Sequence, residues 1–373
     1  MPTKNSPMTN TDLAASVQPT ALAVLLNSAT DPHERVAYRG VLTPRELDAP
    51  EAETAALATG AAVHDLGWLR RVAVRGEDRF RWLSGMVTNM VNVLGPSHGA
   101  WNLVLNAQGR IQGDLTVWRS AENLYLDIAA DQYERLMAHF ERFIIMDDVE
   151  LVPLTRDVAL GLTGPQAGEV LARVGLPTLS EPMTRVHVEW NGMDLRLERE
   201  HGAGAAHYII WVPEAQLSKL WKYLRTGGAV AVGAAAVEAF RIAEGVPAYG
   251  VDIAERDLPQ ETSQTRALHF SKGCYLGQEI VERIRSRGNV HRHLRQLELS
   301  GPAPAAGTEL RSEGGAVAGQ LTSAAELALP SGTRTFALGM IRAEAEVSGE
   351  PFTYTAGNAT GVARILAAPP VFQ

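Results

Sequence analysis

Hydrophobic and polar positions along residues 71–154 follow an order that predicts a mixed unit of strands and helices. Val72 and Val74 alternate with Arg71, Ala73 and Arg75, which is typical of a half-buried strand. Over residues 131–145 the apolar side chains recur at helical spacing and predict an amphipathic helix. The predicted order is strand 71–75, helix 78–87, strands 101–105, 111–118 and 124–128, helix 131–145 and strand 149–154.

A second unit repeats the same order of elements further along the chain. Asn191-Gly192 separates two alternating runs, which is a strong signal for a β-hairpin. Two units with one topology predict an α+β fold with a duplicated core. The predicted elements are strand 158–163, helix 165–174, strands 185–190, 193–198 and 207–212, helix 214–225 and strand 229–233.

The segments on either side of the duplicated units have a different character. Five prolines among small polar residues predict a loosely ordered N-terminal arm over residues 1–48, with at most one short helix around residues 20–27. After residue 290, Gly, Pro and Ala punctuate short alternating runs, which predicts a small β-barrel. We therefore expect an arm at 1–48, a core at 49–289 that includes segment 234–289, and a barrel at 290–373.

Composition excludes several classes of protein. The chain has 373 residues, of which 46% are hydrophobic and 20% charged, as expected for a globular protein of two or three domains. A net charge of −8 argues against a protein that coats nucleic acid. A single cysteine excludes an intrachain disulfide and suits a reducing compartment. Because the early apolar run is too short to span a bilayer, we expect a cytoplasmic protein without a membrane partner.

Residues 271–279, SKGCYLGQE, hold the only cysteine and form what we call the signature segment. Gln278 and Glu279 open a run that predicts a helix ending at Gly288. Cys274 is thus expected just before a helix N-terminus, where the helix dipole and the nearby Lys272 would favour a thiolate. A lone cysteine is also commonly a small buried hydrophobic residue, and the residues alone leave both interpretations open.

The signature segment, preceded by LPQET (258–262) and followed by ERIRSRGNVHRHL (282–294), resembles the motif of the folate-binding YgfZ proteins. These include mitochondrial iron–sulfur assembly factors and are relatives of the glycine-cleavage T-protein, an aminomethyltransferase. AVHDLGWLRRVAVRGEDRFRWL, LNAQGRIQGDLTVW and FRIAEGVPAYGVDI are similar to T-protein segments, so the resemblance covers nearly all of residues 60–373. It implies a GcvT-like ring of three domains around a central opening that holds tetrahydrofolate.

The resemblance also implies which residues bind the folate. Asp114 matches an acidic residue that lies beside the reactive nitrogens of folate, where a desolvated carboxylate could exchange a proton with an amine. Its alternative interpretation is a solvent-facing strand residue. Arg241 matches a folate-associated arginine, and Tyr249 and Asp252 match the loop that follows. Arg241 could equally be a surface helix residue, and Tyr249 could be a packed anchor of its loop.

Two features of the chain depart from the T-protein pattern or belong to the YgfZ branch. Many T-proteins carry a glutamate that pairs with the pterin ring, and His207 stands in that place within HGAGAAHY. A neutral imidazole cannot offer the two acceptor oxygens of a carboxylate. T-proteins also lack Cys274, whereas Gln278 and Glu279 belong to the YgfZ signature and are expected to contribute to cofactor binding.

Basic residues concentrate around the signature segment. This predicts a patch that could meet a polyglutamate tail, a phosphate or an acidic partner, although a solvated helix face explains part of it. RNA is weakly indicated because no RNA-binding module is recognisable. One cysteine cannot hold an iron–sulfur cluster by thiolates alone, so we predict no metal site. Residues 264–296 contain two acidic residues, Glu279 and Glu282, and seven basic ones, which gives a local charge of +5. The basic residues are Arg266, Lys272, Arg283, Arg285, Arg287, Arg292 and Arg295.

The expected function is that of a tetrahydrofolate-binding, YgfZ-like protein that assists iron–sulfur cluster assembly or repair in client enzymes. In this interpretation Cys274, Lys272 and Asp114 carry the chemistry. A first alternative is an aminomethyltransferase that transfers a one-carbon unit to tetrahydrofolate. A second is a folate-sensing scaffold without catalysis. Whether the protein is an enzyme stays open at this point.

Overall fold

The structure is a computed structural model that describes residues 17–27, 33–288 and 290–372. The short helix expected around residues 20–27 is present, whereas the expectation of a loose arm is wrong for residues 35–44, which form a hairpin; residues 1–16 and 28–32 lie outside the described range. The hydroxyl groups of Thr20 and Thr43 both donate hydrogen bonds to Asp65, the latter at 2.7 Å, and tie this region to the core. The elements are α1 (Ala21–Leu25), β1 (Arg35–Tyr38) and β2 (Val41–Pro44).

The first predicted unit forms a five-stranded sheet with the strand order β5-β6-β7-β4-β8. The strand predicted at Val72 and Val74 is present, but it is buried on both faces, since Arg71 and Ala73 are buried as well; Leu136 and Phe140 of the long helix join the core at the valines. That helix ends at Glu141, earlier than predicted. The elements are β4 (Leu69–Arg75), α3 (Arg79–Met86), β5 (Gly99–Leu105), β6 (Ile111–Arg119), β7 (Leu124–Ala129), α4 (Ala130–Glu141) and β8 (Glu150–Pro153), with α2 (Pro50–Thr59) and β3 (Ala62–Asp65) before them.

The second unit forms a six-stranded sheet with the order β10-β11-β12-β9-β3-β13. This order repeats that of the first sheet except that β3, which comes before the first unit in the chain, lies between β9 and β13. The hairpin at Asn191-Gly192 is confirmed, with φ angles of 50° and 71° at the two turn residues. The elements are β9 (Asp157–Gly164), α5 (Ala167–Arg173), β10 (Thr184–Trp190), β11 (Met193–Glu200), β12 (Ala206–Pro213), α6 (Leu217–Thr226) and β13 (Val230–Val232).

A buried ionic cluster joins the two sheets. Arg71 of β4 donates hydrogen bonds to Asp127 of β7 and to Glu198 of β11, and its Nε lies 2.7 Å from Asp127 Oδ1. Arg185 Nε of β10 lies 3.1 Å from Glu198 Oε1. The Arg71 guanidinium also lies 4.1 Å from the ring centre of Trp211. Removing these charged groups from water is unfavourable, and their ion pairs offset this desolvation cost.

The C-terminal region is a closed six-stranded barrel, as predicted. Helix α7 (Ala234–Ala243) precedes it and buries Phe240 in a core shared with Phe336 of the barrel. Within the described residues, no helix is long and apolar enough to cross a membrane. The elements are α8 (Gln278–Arg287), β14 (Arg292–Ser300), β15 (Glu309–Arg311), β16 (Val317–Leu329), β17 (Gly332–Arg342), α9 (Ala343–Glu346), β18 (Phe352–Ala356) and β19 (Ala359–Ile365).

Candidate functional site

Two adjoining chambers lie between the two sheets and form what we call the central cleft. The first chamber has a volume of about 180 Å³ and the second a volume of about 160 Å³. Apolar side chains and a small number of convergent polar groups line both, which is typical of a small-molecule site. The residues shared by the two chambers include Arg39, Leu66, Trp68, Glu200, His201 and Ile209.

Asp114 of β6 lies in the wall of the first chamber, half-buried. Its Oδ2 accepts a hydrogen bond of 2.9 Å from Trp101 Nε1, and its Oδ1 accepts one of 2.9 Å from Gln132 Nε2. Gly113 allows helix α4 to approach this closely, because a Cβ there would lie 2.7 Å from Gln132 Oε1. The carboxylate is thus held in one orientation inside the cleft, and the solvent-facing alternative does not describe it.

A chain of buried histidines and hydroxyls borders the second chamber. His207 Nε2 lies 2.5 Å from Glu244 Oε2. Burial alone would lower the pKa of His207, but the Glu244 carboxylate raises it overall. Thr163 Oγ1 lies 3.3 Å from His207 Nδ1 and 3.0 Å from His64 Nε2. Burial lowers the pKa of His64 to about 3. His207 is therefore already engaged by a carboxylate, while His64 is neutral.

Glu200, the last residue of β11, lies where the two chambers meet. Its Oε1 accepts a hydrogen bond of 3.2 Å from the Thr116 hydroxyl. Burial raises the pKa of Glu200 to about 7; the negative charge of Asp127 adds to the rise and His207 opposes it. Sequence reasoning missed this residue, because a glutamate at the end of an alternating strand gives no functional signal.

Arg241 borders the second chamber, but other parts of the chain occupy its donors. The guanidinium binds Glu238 in a two-point contact and donates to the Val246 carbonyl at 2.5 Å and to Asp252 at 2.7 Å. Asp252 in turn accepts a hydrogen bond of 2.6 Å from the Thr322 hydroxyl of β16. Arg241 therefore fixes the loop that follows α7 against the barrel, while a direct contact with folate, which the family resemblance implies, stays a prediction.

Tyr249, Gln278 and Glu279 do not reach the central cleft. The Tyr249 hydroxyl accepts a hydrogen bond of 2.7 Å from Arg135 and is buried, so it is an anchor of its loop. Gln278 Oε1 accepts a hydrogen bond of 3.3 Å from the Tyr275 backbone, and Glu279 is exposed. The expected contribution of these three residues to a cofactor site therefore has no support in their positions.

Lys272 and Cys274 have opposite environments. The buried Lys272 ammonium donates hydrogen bonds to the carbonyls of Ser84, Val87 and Asn89 at 2.7, 2.5 and 2.9 Å. Burial lowers the pKa of Lys272 to about 7, although three carbonyl acceptors favour the charged ammonium, which alone has three donors. Cys274 is exposed, four positions before the start of helix α8 at Gln278. These contacts give no support to the expectation that Lys272 activates the thiol, because carbonyl groups occupy its donors.

Two arginines of the predicted basic patch, Arg292 and Arg295, pair with acidic residues from elsewhere in the chain. Arg292 binds Asp257 at 2.6 Å and Glu261 at 3.1 Å. Arg295 binds Glu346 at 2.8 Å. Counting charges within one segment overstated the patch, because these partners lie outside it in sequence. No group of three or more metal-ligating side chains is found where the structure describes the chain.

A third cavity, which we call the outer groove, opens beside the first chamber and has a volume of about 410 Å³. Trp101, Met183, His201 and Arg266 line both the outer groove and the first chamber. The Arg266 guanidinium lies 5.2 Å from the ring centre of Trp101. The outer groove is thus a route by which a ligand could extend from the first chamber toward solvent.

The fold and the central cleft define an α+β protein with a small-molecule cleft and a C-terminal barrel. Residues 35–272 match the family described as the GCVT N-terminal domain, and the chain belongs to this family. It is 29% identical over 294 residues to an aminomethyltransferase of Rubrobacter xylanophilus, which covers 77% of this chain and 78% of that protein. It is 25% identical over 302 residues to a putative chloroplastic transferase of Arabidopsis thaliana, and the match covers 80% of this chain and 69% of that protein.

A solved structure confirms the fold. The crystal structure of the glycine cleavage system aminomethyltransferase T from Bartonella henselae superposes with a TM-score of 0.84 and 22% sequence identity. The match covers 96% of this chain and 100% of that one. The GcvT-like fold with two sheets and a C-terminal barrel is therefore the architecture of this protein.

Proposed function

We propose that this protein binds tetrahydrofolate in the central cleft and assists the assembly or repair of iron–sulfur clusters in client enzymes. One observation carries the folate half: Asp114 is fixed in the cleft by Trp101 and Gln132. A carboxylate with both oxygens oriented by N–H donors is well placed to accept a hydrogen bond or proton from a ligand amine. Membership of the GCVT family supports this interpretation.

The lining of the cleft fits a flat, partly polar ligand. Leu66 and Ile209 contribute apolar walls to both chambers, and Trp68 adds an aromatic surface between them. Such walls suit the ring system of a folate, while Asp114 offers a polar contact at one side. Arg241 acts as a positioning residue in this proposal, since it holds the loop at Val246 that closes the second chamber.

The iron–sulfur half rests on the signature segment. Cys274 is exposed and does not line either chamber of the central cleft, so its thiol is accessible to a partner protein rather than to a ligand in the cleft. A reducing compartment, such as the cytoplasm, would keep this thiol free. We therefore assign Cys274 a role in the encounter with a client or assembly protein, separate from the folate contact at Asp114.

Calorimetric titration with tetrahydrofolate tests the folate half. The natural protein should bind, and Asp114→Asn should bind more weakly because the amide cannot accept a proton and presents a donor on one side. Glu122→Gln, the same kind of change at an exposed turn, should bind as the natural protein does. No binding by any of the three proteins would overturn the folate half.

A deletion strain tests the iron–sulfur half. The activity of an iron–sulfur enzyme in the strain should return when the natural protein is supplied. Cys274→Ala should restore it less well, while Ser271→Ala, a change at an exposed neighbour, should restore it fully. Full restoration by Cys274→Ala would remove the thiol from the proposal.

The second candidate function is aminomethyl transfer to tetrahydrofolate. The similarity to the Rubrobacter xylanophilus aminomethyltransferase and the position of Asp114 in the cleft favour it. A direct assay with an aminomethyl-loaded carrier protein distinguishes the two candidates. Formation of methylenetetrahydrofolate that depends on Asp114 would support transfer, whereas binding without turnover would support the iron–sulfur role.

A further inference from the structure

Four carboxylates line the two chambers where the structure describes them, and three of them have a cationic partner, a histidine or two N–H donors. Asp114 receives two N–H donors, Asp127 binds Arg71, and Glu244 binds His207. Glu200 is different. Within the described residues its hydrogen-bond partner is the Thr116 hydroxyl at 3.2 Å, and no cation forms an ion pair with it.

Among the described residues, the charged groups around Glu200 include no cation that forms an ion pair with it. Thr116 faces it from β6, Asp127 from β7 and Glu198 from its own strand; His207 is its cross-strand neighbour on β12, and Arg266, between α7 and α8, also attracts it. His207 is held by Glu244, and Arg266 stacks on an aromatic ring instead. Glu200 therefore retains acceptor capacity toward the cleft.

A second unpartnered group lies in the same part of the cleft. Trp68 borders both chambers, as Glu200 does. Its indole Nε1 is buried and has no hydrogen-bond partner among the described residues. A buried N–H group without a partner is unfavourable, and a bound ligand can satisfy it. The cleft thus offers an acceptor at Glu200 and a donor at Trp68.

We propose that Glu200 is the specificity-determining carboxylate of the cleft and accepts hydrogen bonds from ring N–H groups of the ligand head group. This inference rests on the proposed folate function and adds the residue that reads the head group. His207 cannot take this role, because Glu244 already engages it. The ligand class is a heterocycle that presents N–H donors to Glu200 and has a carbonyl oxygen for Trp68, as the pterin ring of a folate does.

Binding in this way has a proton consequence. Before binding, Glu200 is partly protonated near neutral pH, because burial raises its pKa to about 7. N–H donors stabilise the ionised carboxylate, so the ligand lowers the pKa and the proton passes to the buffer. At pH 7 the release amounts to roughly half a proton for each ligand bound.

The experiment compares two ligands and three proteins by calorimetry at pH 7, in two buffers with different enthalpies of ionisation. The ligands are tetrahydrofolate and p-aminobenzoylglutamate, which lacks the head group. The proteins are the natural protein, Glu200→Gln and the exposed control Glu122→Gln. Thermal unfolding of each protein shows that it is folded before it is titrated.

We expect Glu200→Gln to bind tetrahydrofolate about 10- to 100-fold more weakly, in keeping with the loss of charged hydrogen bonds. Its affinity for p-aminobenzoylglutamate should equal that of the natural protein. Proton release should occur with the natural protein and with Glu122→Gln and be absent from Glu200→Gln.

Two results would overturn the inference, and they differ. If the natural protein binds tetrahydrofolate but Glu200→Gln binds it equally well, with the same proton release, the head group is recognised elsewhere and the folate function stands. If the natural protein does not bind tetrahydrofolate, both the inference and the proposed folate function fail.

Discussion

The ammonium of Lys272 donates a hydrogen bond of 2.7 Å to the carbonyl of Ser84, a residue that lies 188 positions earlier in the chain. The same ammonium also binds the carbonyls of Val87 and Asn89 just beyond helix α3. A cation at the C-terminal end of a helix meets carbonyls that have no partner within the helix. The signature segment is thus fastened to the first sheet-and-helix unit by this side chain.

Replacing Lys272 by methionine should destabilise the fold. Three buried carbonyls would lose their donor, which we expect to lower the free energy of unfolding by about 2–4 kcal/mol. Urea denaturation measures this change. Lys222→Met on the exposed face of α6 should change stability by no more than about 0.5 kcal/mol. Equal stability of the two variants would show that the carbonyl contacts contribute nothing.

The ionic cluster between the sheets predicts a larger effect. In Arg71→Leu, Asp127 and Glu198 would remain buried without their cation, which typically costs about 3–5 kcal/mol. Arg75 lies on the same strand and is exposed, so Arg75→Leu should leave the free energy of unfolding nearly unchanged. Burial raises the pKa of Glu198, so the stability difference between the two variants, measured by denaturant unfolding, should shrink at acidic pH as Glu198 becomes protonated. A pH-independent difference would contradict this explanation.

Gly161 predicts a steric effect in the second chamber. A Cβ at this position would lie 2.1 Å from Cε1 of the buried His64, so the imidazole must move. We expect Gly161→Ala to lower the free energy of unfolding by about 1–3 kcal/mol, as overpacking does. Gly314→Ala, where nothing lies within 4 Å, is the control for denaturant unfolding. Identical midpoints and slopes for both variants would show that His64 has room to move.

The exposure of Cys274 predicts its reactivity toward iodoacetamide. The native protein should take up one label without denaturant, because the thiol is accessible. Labelling of Lys272→Met should proceed at a similar rate, since carbonyl groups occupy the ammonium in the natural protein. Mass spectrometry follows the reaction. A rate at least tenfold lower in Lys272→Met would restore Lys272 as an activator of the thiol.

Glu200 predicts a pH dependence of stability. Its pKa is raised from 4.5 to about 7 on folding, so the folded state binds more protons between these values and this group's contribution to stability falls as pH rises. Glutamine does not titrate, so Glu200→Gln does not lose stability in this way as the pH rises. The melting temperature of the variant minus that of the natural protein should therefore increase by several degrees from pH 5 to pH 8. A constant difference would show that Glu200 titrates normally.

Much of the fold was predictable because its signals are local. Val72 and Val74 reveal a strand by alternation, and Asn191-Gly192 reveals a hairpin by turn chemistry. Both depend on neighbours within a few positions. The position of Asp114 in the cleft followed instead from family resemblance, since alternation alone could not tell the cleft from solvent.

The errors share a physical cause. The partners of Lys272 and Arg292 lie far away in sequence, so neither the buried ammonium nor the neutralised arginine was visible in the composition of one segment. The ion pairs of Arg241 with Glu238 and Asp252 were likewise not visible from its match to a folate-associated arginine. Glu200 was missed because its environment comes from strands of both sheets.

Strand β3 makes the two halves of the core inseparable. It precedes the first unit in the chain, yet it pairs with β9 and β13 in the middle of the second sheet. During synthesis, this strand must wait for about 90 further residues to leave the ribosome before β9 is available to pair with it. A fragment that begins at β9 would expose two unpaired strand edges and would be prone to aggregate. The apparent duplication is therefore a single folding unit.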